Sequence, residues 1–140
     1  NISVTHRRTM TLDKENLFLI IKDSLLGPGN HYIEAFFHTD SLNEPNFCHD
    51  MHNAIILKLP KGNLALVPFP SNLFKSSIEQ SWISYSYGTK VNGNRIHYYT
   101  TKKLPISFYF FIFPISSDKD ILDNTKLISD KWILRNKKEG

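Results

Sequence analysis

The segment "PISFYFFIFPI", Pro105 to Ile115, most limits what this chain can become. Its centre, Phe108 to Phe113, is apolar at every position, so a strand built from it is apolar on both faces. Such a strand needs cover above and below and belongs in the middle of a sheet. Prolines stand at its two ends rather than in its interior, where they would break the ladder.

The rest of the chain repeats the strand signal in shorter form. Aromatic and β-branched runs are separated by turn residues at intervals of about ten. Ile2 to Leu12 alternates, with Ile2, Val4, His6, Arg8, Met10 and Leu12 on one face. "DKEN" then reverses the chain into "LFLIIKD", and "GPGN" leads into "HYIEAFFHTD", which predicts a three-strand meander. A polar loop from Ser41 to His52 holds Pro45, Cys48, His49 and His52. "NAIILKL", "PKGN" and "LALVPF" predict the next hairpin, and Asn92-Gly93 predicts a type I′ hairpin turn. Gly88 suits a tight turn. "SDKDILDN" reads as one helical turn capped by Ser117 or Asp118, and "KWILRN" as a last strand. The expected fold is an all-β, antiparallel β-sandwich of about nine to eleven strands, one domain over residues 1–140.

Composition narrows the function classes. The single Cys48 excludes an intrachain disulfide. No apolar run reaches the length of a membrane span. The formal net charge of +4 is spread thinly, with clusters only at His6-Arg7-Arg8, Lys102-Lys103 and Arg135 to Lys138. No nucleic-acid-binding motif accompanies it, so no nucleic-acid partner is expected. The balance suits an acidic ligand such as a polyuronate without requiring one. A first residue other than Met and no charged-then-apolar leader suggest a piece excised from a longer polypeptide.

"HRRTMTL", "LFLIIKDSLLGPGNHYIEAFFH", "SWISYSYGTKV" and "KKLPISFYFFIFP" follow one another between Val4 and Pro114. In that order they resemble the C-terminal β-sandwich domain of heparinase II/III-like polysaccharide lyases. The resemblance implies a bacterial enzyme in which the sandwich packs against an N-terminal toroid of helices, with the active site in the cleft between them. It implies β-elimination on uronic-acid polysaccharides such as heparin, heparan sulfate or alginate, and a periplasmic or cell-envelope location, a cytoplasmic one being the alternative. This chain contains no toroid, so its partners would be that missing helical domain and an acidic polysaccharide. On its own it is expected to be inactive, and its catalytic residues are not nameable.

The same resemblance implies a structural zinc bound by two histidines and one aspartate. His6, Asp23 and His38 fit the set, with His49 and His52 as rivals of His38 for the third place. Two imidazoles, a carboxylate and a water would satisfy the ion. Read without the resemblance, these are half-buried polar groups, His6 bonded to a carbonyl and Asp23 capping a turn. For substrate, Arg8 is the candidate fork onto a uronate carboxylate or sulfate, set against a strand-surface ion pair. Tyr32, Tyr85 and Tyr87 are candidates to line a sugar site, set against ordinary core packing, which is also the reading of Trp82 and Trp132. The alternatives to a lyase domain are a free-standing carbohydrate-binding module and a purely structural sandwich.

Overall fold

The structure is a computed structural model that describes residues 3–40, 44–49, 51–86 and 88–134, the side chains of 83–86 and 89–91 excepted. Strand β9 (Ile106–Ile115) occupies the place its sequence demands. It lies inside a six-stranded antiparallel sheet, hydrogen-bonded on one side to β2 (Phe18–Leu26) and on the other to β6 (Gly62–Phe69). Phe108 and Phe110 point into one core, with Ile21, Leu66, Ile96 and Tyr98. Phe111 and Phe113 point into another, with Ile20, Ala65, Val67 and Ile121.

Two covers make these two cores. One is a three-stranded sheet in the order β3 (Asn30–Asp40), β8 (Thr89–Lys103), β7 (Lys75–Ser86). The other is helix α1 (Lys119–Ile128) with a π-helical segment, Ser129–Leu134. The large sheet runs β1 (Thr5–Asp13), β2, β9, β6, β5 (Ile55–Leu59), β4 (Glu44–Phe47). Its partner sheet is only half as wide in strand number. Edge strand β1 is left exposed on both faces from Thr5 to Met10. Among the described residues the fold is therefore an all-β sandwich of nine antiparallel strands with one helical flank.

Several local expectations change. The third strand does not continue a meander: β2 has both neighbours taken, by β1 and β9, and β3 crosses to the second sheet to pair with β8. The crossing turn needs its glycine, because a Cβ on Gly27 (φ 151°) would lie 2.8 Å from the Ser3 carbonyl oxygen. Asn92-Gly93 is not a turn but part of β8, opposite Trp82 and Ser81. The reversal comes at Gly88 (φ 78°), between the paired Ser86 and Thr89. The polar loop contains the short strand β4.

The expected last strand at "KWILRN" is helical as far as Leu134, and the single turn before it is a ten-residue helix. Ile121, Thr125, Ile128 and Ile133 are its buried positions. The final step of five residues is too wide for an α-helix face and fits the slacker π turn. Asp118 is the cap residue but makes no side-chain cap bond. Asp120 accepts the Ser116 and Ser117 N–H groups instead, at 2.8 and 3.2 Å.

The sandwich is tied together at Asn53, a buried residue in left-handed conformation (φ 65°). Its amide donates to the Ser71 carbonyl at 3.0 Å and to the Phe74 carbonyl, its side-chain oxygen accepts from Ser76, and its own carbonyl accepts the Tyr98 hydroxyl at 2.7 Å. Burial pushes the Tyr98 phenol above its ordinary value, so it stays a donor. Asn53→Ala leaves two carbonyls and a hydroxyl short of partners and puts a Cβ-bearing residue with no local hydrogen bond at positive φ. The expected loss is roughly 3 kcal/mol in urea unfolding, against less than about 0.5 if Asn53 were ornamental.

Candidate functional groove

Two edges meet on one side of the molecule. Strand β1 ends the wide sheet, β3 ends the narrow one, and the step between them is a groove of about 240 Å³. Its walls include His6 from β1, Leu25 from β2, and His31, Tyr32 and Glu34 from β3, over a floor of Leu104 and Phe108. The apolar floor with a few polar groups at the rim has the composition of a ligand site.

Asp23 lies beneath the His6 wall. It sits opposite Arg8 in the β1–β2 ladder and opposite Phe108 in the β2–β9 ladder, so His6, two residues from Arg8, shares its face. Asp23 is 1% exposed. Its Oδ1 accepts from Arg8 Nε at 2.8 Å, its Oδ2 from Arg8 Nη2 at 3.0 Å, and His6 Nε2 is 2.8 Å from Oδ1. The bond to Asp23 raises the Arg8 pKa above its ordinary value. Arg8 is thus in an ion pair, with a buried partner rather than one at the strand surface, and two of its nitrogens are committed to Asp23.

The other proposed site residues are placed as follows. Tyr32 lies at the groove rim, 59% exposed. Partial burial there, and then the Glu34 carboxylate, hold its phenol above the ordinary value, which makes it a hydrogen-bond donor rather than a ready base. His38 is brought to neither His6 nor Asp23. Inward positions of β3 are odd-numbered, with Ile33, Ala35 and Thr39 buried, so His38 faces outward opposite Arg95. It is also roughly 20 Å along the strand from Tyr32. His49 and His52 line a separate depression with Cys48 and Asn53. Among the described residues no group of three His, Cys, Asp or Glu side chains is placed to hold a metal. Tyr87, the side chain of Tyr85 and the cluster Arg135 to Lys138 lie outside the described residues. Trp82, expected in the core, is 67% exposed.

A second polar constellation escaped the sequence, because its members come from three strands. On the outer face of the narrow sheet, His97 Nδ1 is 3.0 Å from Glu79 Oε1, and Nε2 is 2.7 Å from Glu34 Oε2, off the line a hydrogen bond would take. Arg95 completes the group on Glu79, Nε to Oε2 at 3.0 Å. Phe36 stacks on the His97 ring with centroids 4.5 Å apart, and the Arg95 guanidinium lies 4.6 Å from the Phe36 centroid. The register that pairs Phe36 with His97, and Glu79 with Arg95, makes these contacts.

The profile of one family, heparinase II/III-like, C-terminal, matches residues 2–119. The match covers most of the chain, from β1 through β9 to the start of the helix. This chain is a member of that family. No curated protein matches it significantly. In this heparinase II/III-like C-terminal domain both the groove and the outer-face cluster fall inside the matched residues, whereas most of the helix and the π segment lie beyond them. Among the described residues no helix is long and apolar enough to cross a membrane.

Glu79 gives the heparinase II/III-like domain a checkable acid sensitivity. Arg95 first, then His97, hold its carboxyl below the ordinary 4.5. A carboxyl lowered in the folded state adds stability above its unfolded pKa and loses it as pH falls through the folded one. Urea midpoints of the wild type should therefore decline below about pH 4.5, and Glu79→Gln should remove part of that slope while lowering the neutral-pH midpoint. Parallel profiles for the two proteins would show that Glu79 does not carry the effect.

Proposed function

We propose that this chain is the sandwich part of a polysaccharide lyase that eliminates across glycosidic bonds of a uronic-acid polysaccharide, and that the β1–β3 groove is its contribution to the substrate cleft. The family match over residues 2–119 carries the reading. The groove supports it: an apolar floor for a pyranose face, an exposed phenol and an imidazole at the rim, and a rim built from two sheet edges that another domain could extend.

Elimination needs three things at the sugar: a charge to neutralise the uronate carboxylate, a base at C5 and an acid at the departing oxygen. This chain offers part of that set. Tyr32 would donate to a sugar hydroxyl or carboxylate, and its raised pKa argues for donation over proton removal. His6, oriented by Asp23, would present the ring edge away from Asp23 to the ligand. Arg8, with Nε and Nη2 on Asp23, would hold His6's neighbour in place and turn only its remaining nitrogen outward. The remaining chemistry would come from a helical N-terminal partner.

A carbohydrate-binding module is the second reading, favoured by Tyr32 and Phe36 standing exposed on the outward face of β3, four residues apart. The same experiment separates the two. The isolated chain should release no unsaturated product from heparin, heparan sulfate or alginate, followed by ultraviolet absorbance, and should be retarded in affinity gels containing one of these polymers. Under the lyase reading, Tyr32→Ala and His6→Ala reduce the retardation several-fold while Phe36→Ala leaves it. Loss of retardation in Tyr32→Ala and Phe36→Ala with His6→Ala unchanged favours the module. Turnover by the isolated chain, or no retardation by any of the three, contradicts the proposal.

A further inference from the structure

We propose that Arg8, and not a metal ion, is the cation that neutralises the buried Asp23, and that His6, Arg8 and Asp23 form a metal-independent clasp holding edge strand β1 on the sheet. This inference goes beyond the lyase reading and stands whether or not the chain binds polysaccharide.

A carboxylate as buried as Asp23 is retained only if it is paired and hydrogen-bonded. Both requirements are met within the chain. The guanidinium fork places one donor on each oxygen, at 2.8 and 3.0 Å, and His6 adds a contact on Oδ1 at 2.8 Å. Arg8 is the residue directly across the ladder, so the fork needs no backbone adjustment.

A zinc ion would want about four N, O or S donors at roughly 2.0–2.3 Å. To reach Asp23 it would have to displace the guanidinium from at least one oxygen or lie beside it, where two like charges a few ångströms apart repel. Beside the guanidinium, His6 and Asp23 supply at most two donors, and among the described residues no third His, Cys, Asp or Glu joins them, since His38 stands on the outward face of the other sheet. His31, the second imidazole of the groove, has its Nε2 2.8 Å from the Pro28 carbonyl oxygen. The donor set thus does not fit the ion that the family resemblance implies for these residues.

The clasp has work to do where it is. Among the described residues strand β1 pairs only with β2, and from Thr5 to Met10 it buries neither face. Apolar contact cannot fix such a segment, and a charge-assisted fork into the sheet can.

The test uses the purified chain after desalting. Its zinc content should be far below one ion per chain, and its thermal midpoint should be the same with a chelator, without one, and in excess zinc chloride. Arg8→Met should lower the midpoint by roughly 5–10 °C. Arg8→Lys, which keeps the charge and loses the fork, should recover only part of that. Should the methionine variant not fold, ¹⁵N shifts of the His6 ring in the wild type during zinc titration provide the second measurement, and they should not move. About one zinc per wild-type chain, a midpoint lowered by chelation, His6 shifts that follow zinc, or an Arg8→Met midpoint equal to wild type would each overturn the proposal.

Discussion

Strand β9 is apolar on both faces, and the rest of the architecture is arranged to keep both out of water. Phe108 and Phe110 require a layer on one side and Phe111 and Phe113 a layer on the other. The chain has enough strand left for a three-stranded cover on the first side, and it uses the helix and π segment for the second. A narrow sheet over a wide one leaves an overhang. That overhang is β1, and the step beneath it is the groove. The candidate site is in this sense a by-product of unequal sheet widths, furnished with His6, Tyr32 and Glu34 by the two strands at its rim.

Polar pairs do at the edges what aromatic burial does in the middle. Asp23 joins β1 to the sheet where hydrophobic contact is scarce, and Asn53 joins the loop before β5 to the loop before β7. The His97 cluster stiffens the outer face of the narrow sheet by linking all three of its strands, Glu34 on β3, His97 on β8 and Glu79 on β7. The Asp23 and His97 groups set a buried or half-buried carboxylate against donors across a ladder, so both depend on register, whereas Asn53 bridges two loops.

What could be read beforehand was local. The double-faced apolar run announced β9, the "DKEN" turn forms around Asp13, whose Oδ1 accepts the Glu15 and Asn16 N–H groups at 3.2 and 3.3 Å, and the β5–β6 hairpin closes at the "PKGN" turn. What could not be read was which sheet a strand joins. "HYIEAFFHTD" carries the same alternation whether it pairs with β2 or crosses to β8, so its pattern does not say that His38 stands on the second sheet, opposite Arg95. Asn92-Gly93 misled because a turn-favouring dipeptide also fits within a long strand. Short apolar runs do not distinguish strand from helix, and the strand expected at "KWILRN" is helical instead, as far as Leu134. At the groove, the sequence showed His6, Arg8, Asp23 and Tyr32 but not that the first three bind one another.

The step between β1 and β3 is proposed as the place where this domain meets an acidic sugar chain. Chemical-shift mapping of the ¹⁵N-labelled chain with a short oligouronate tests it most directly. Perturbations should concentrate at Val4, His6 and the His31 to Ile33 segment, with the outer-face residues Phe36, Arg95 and His97 unmoved. Perturbations confined to that outer face, or none at saturating ligand, would contradict it.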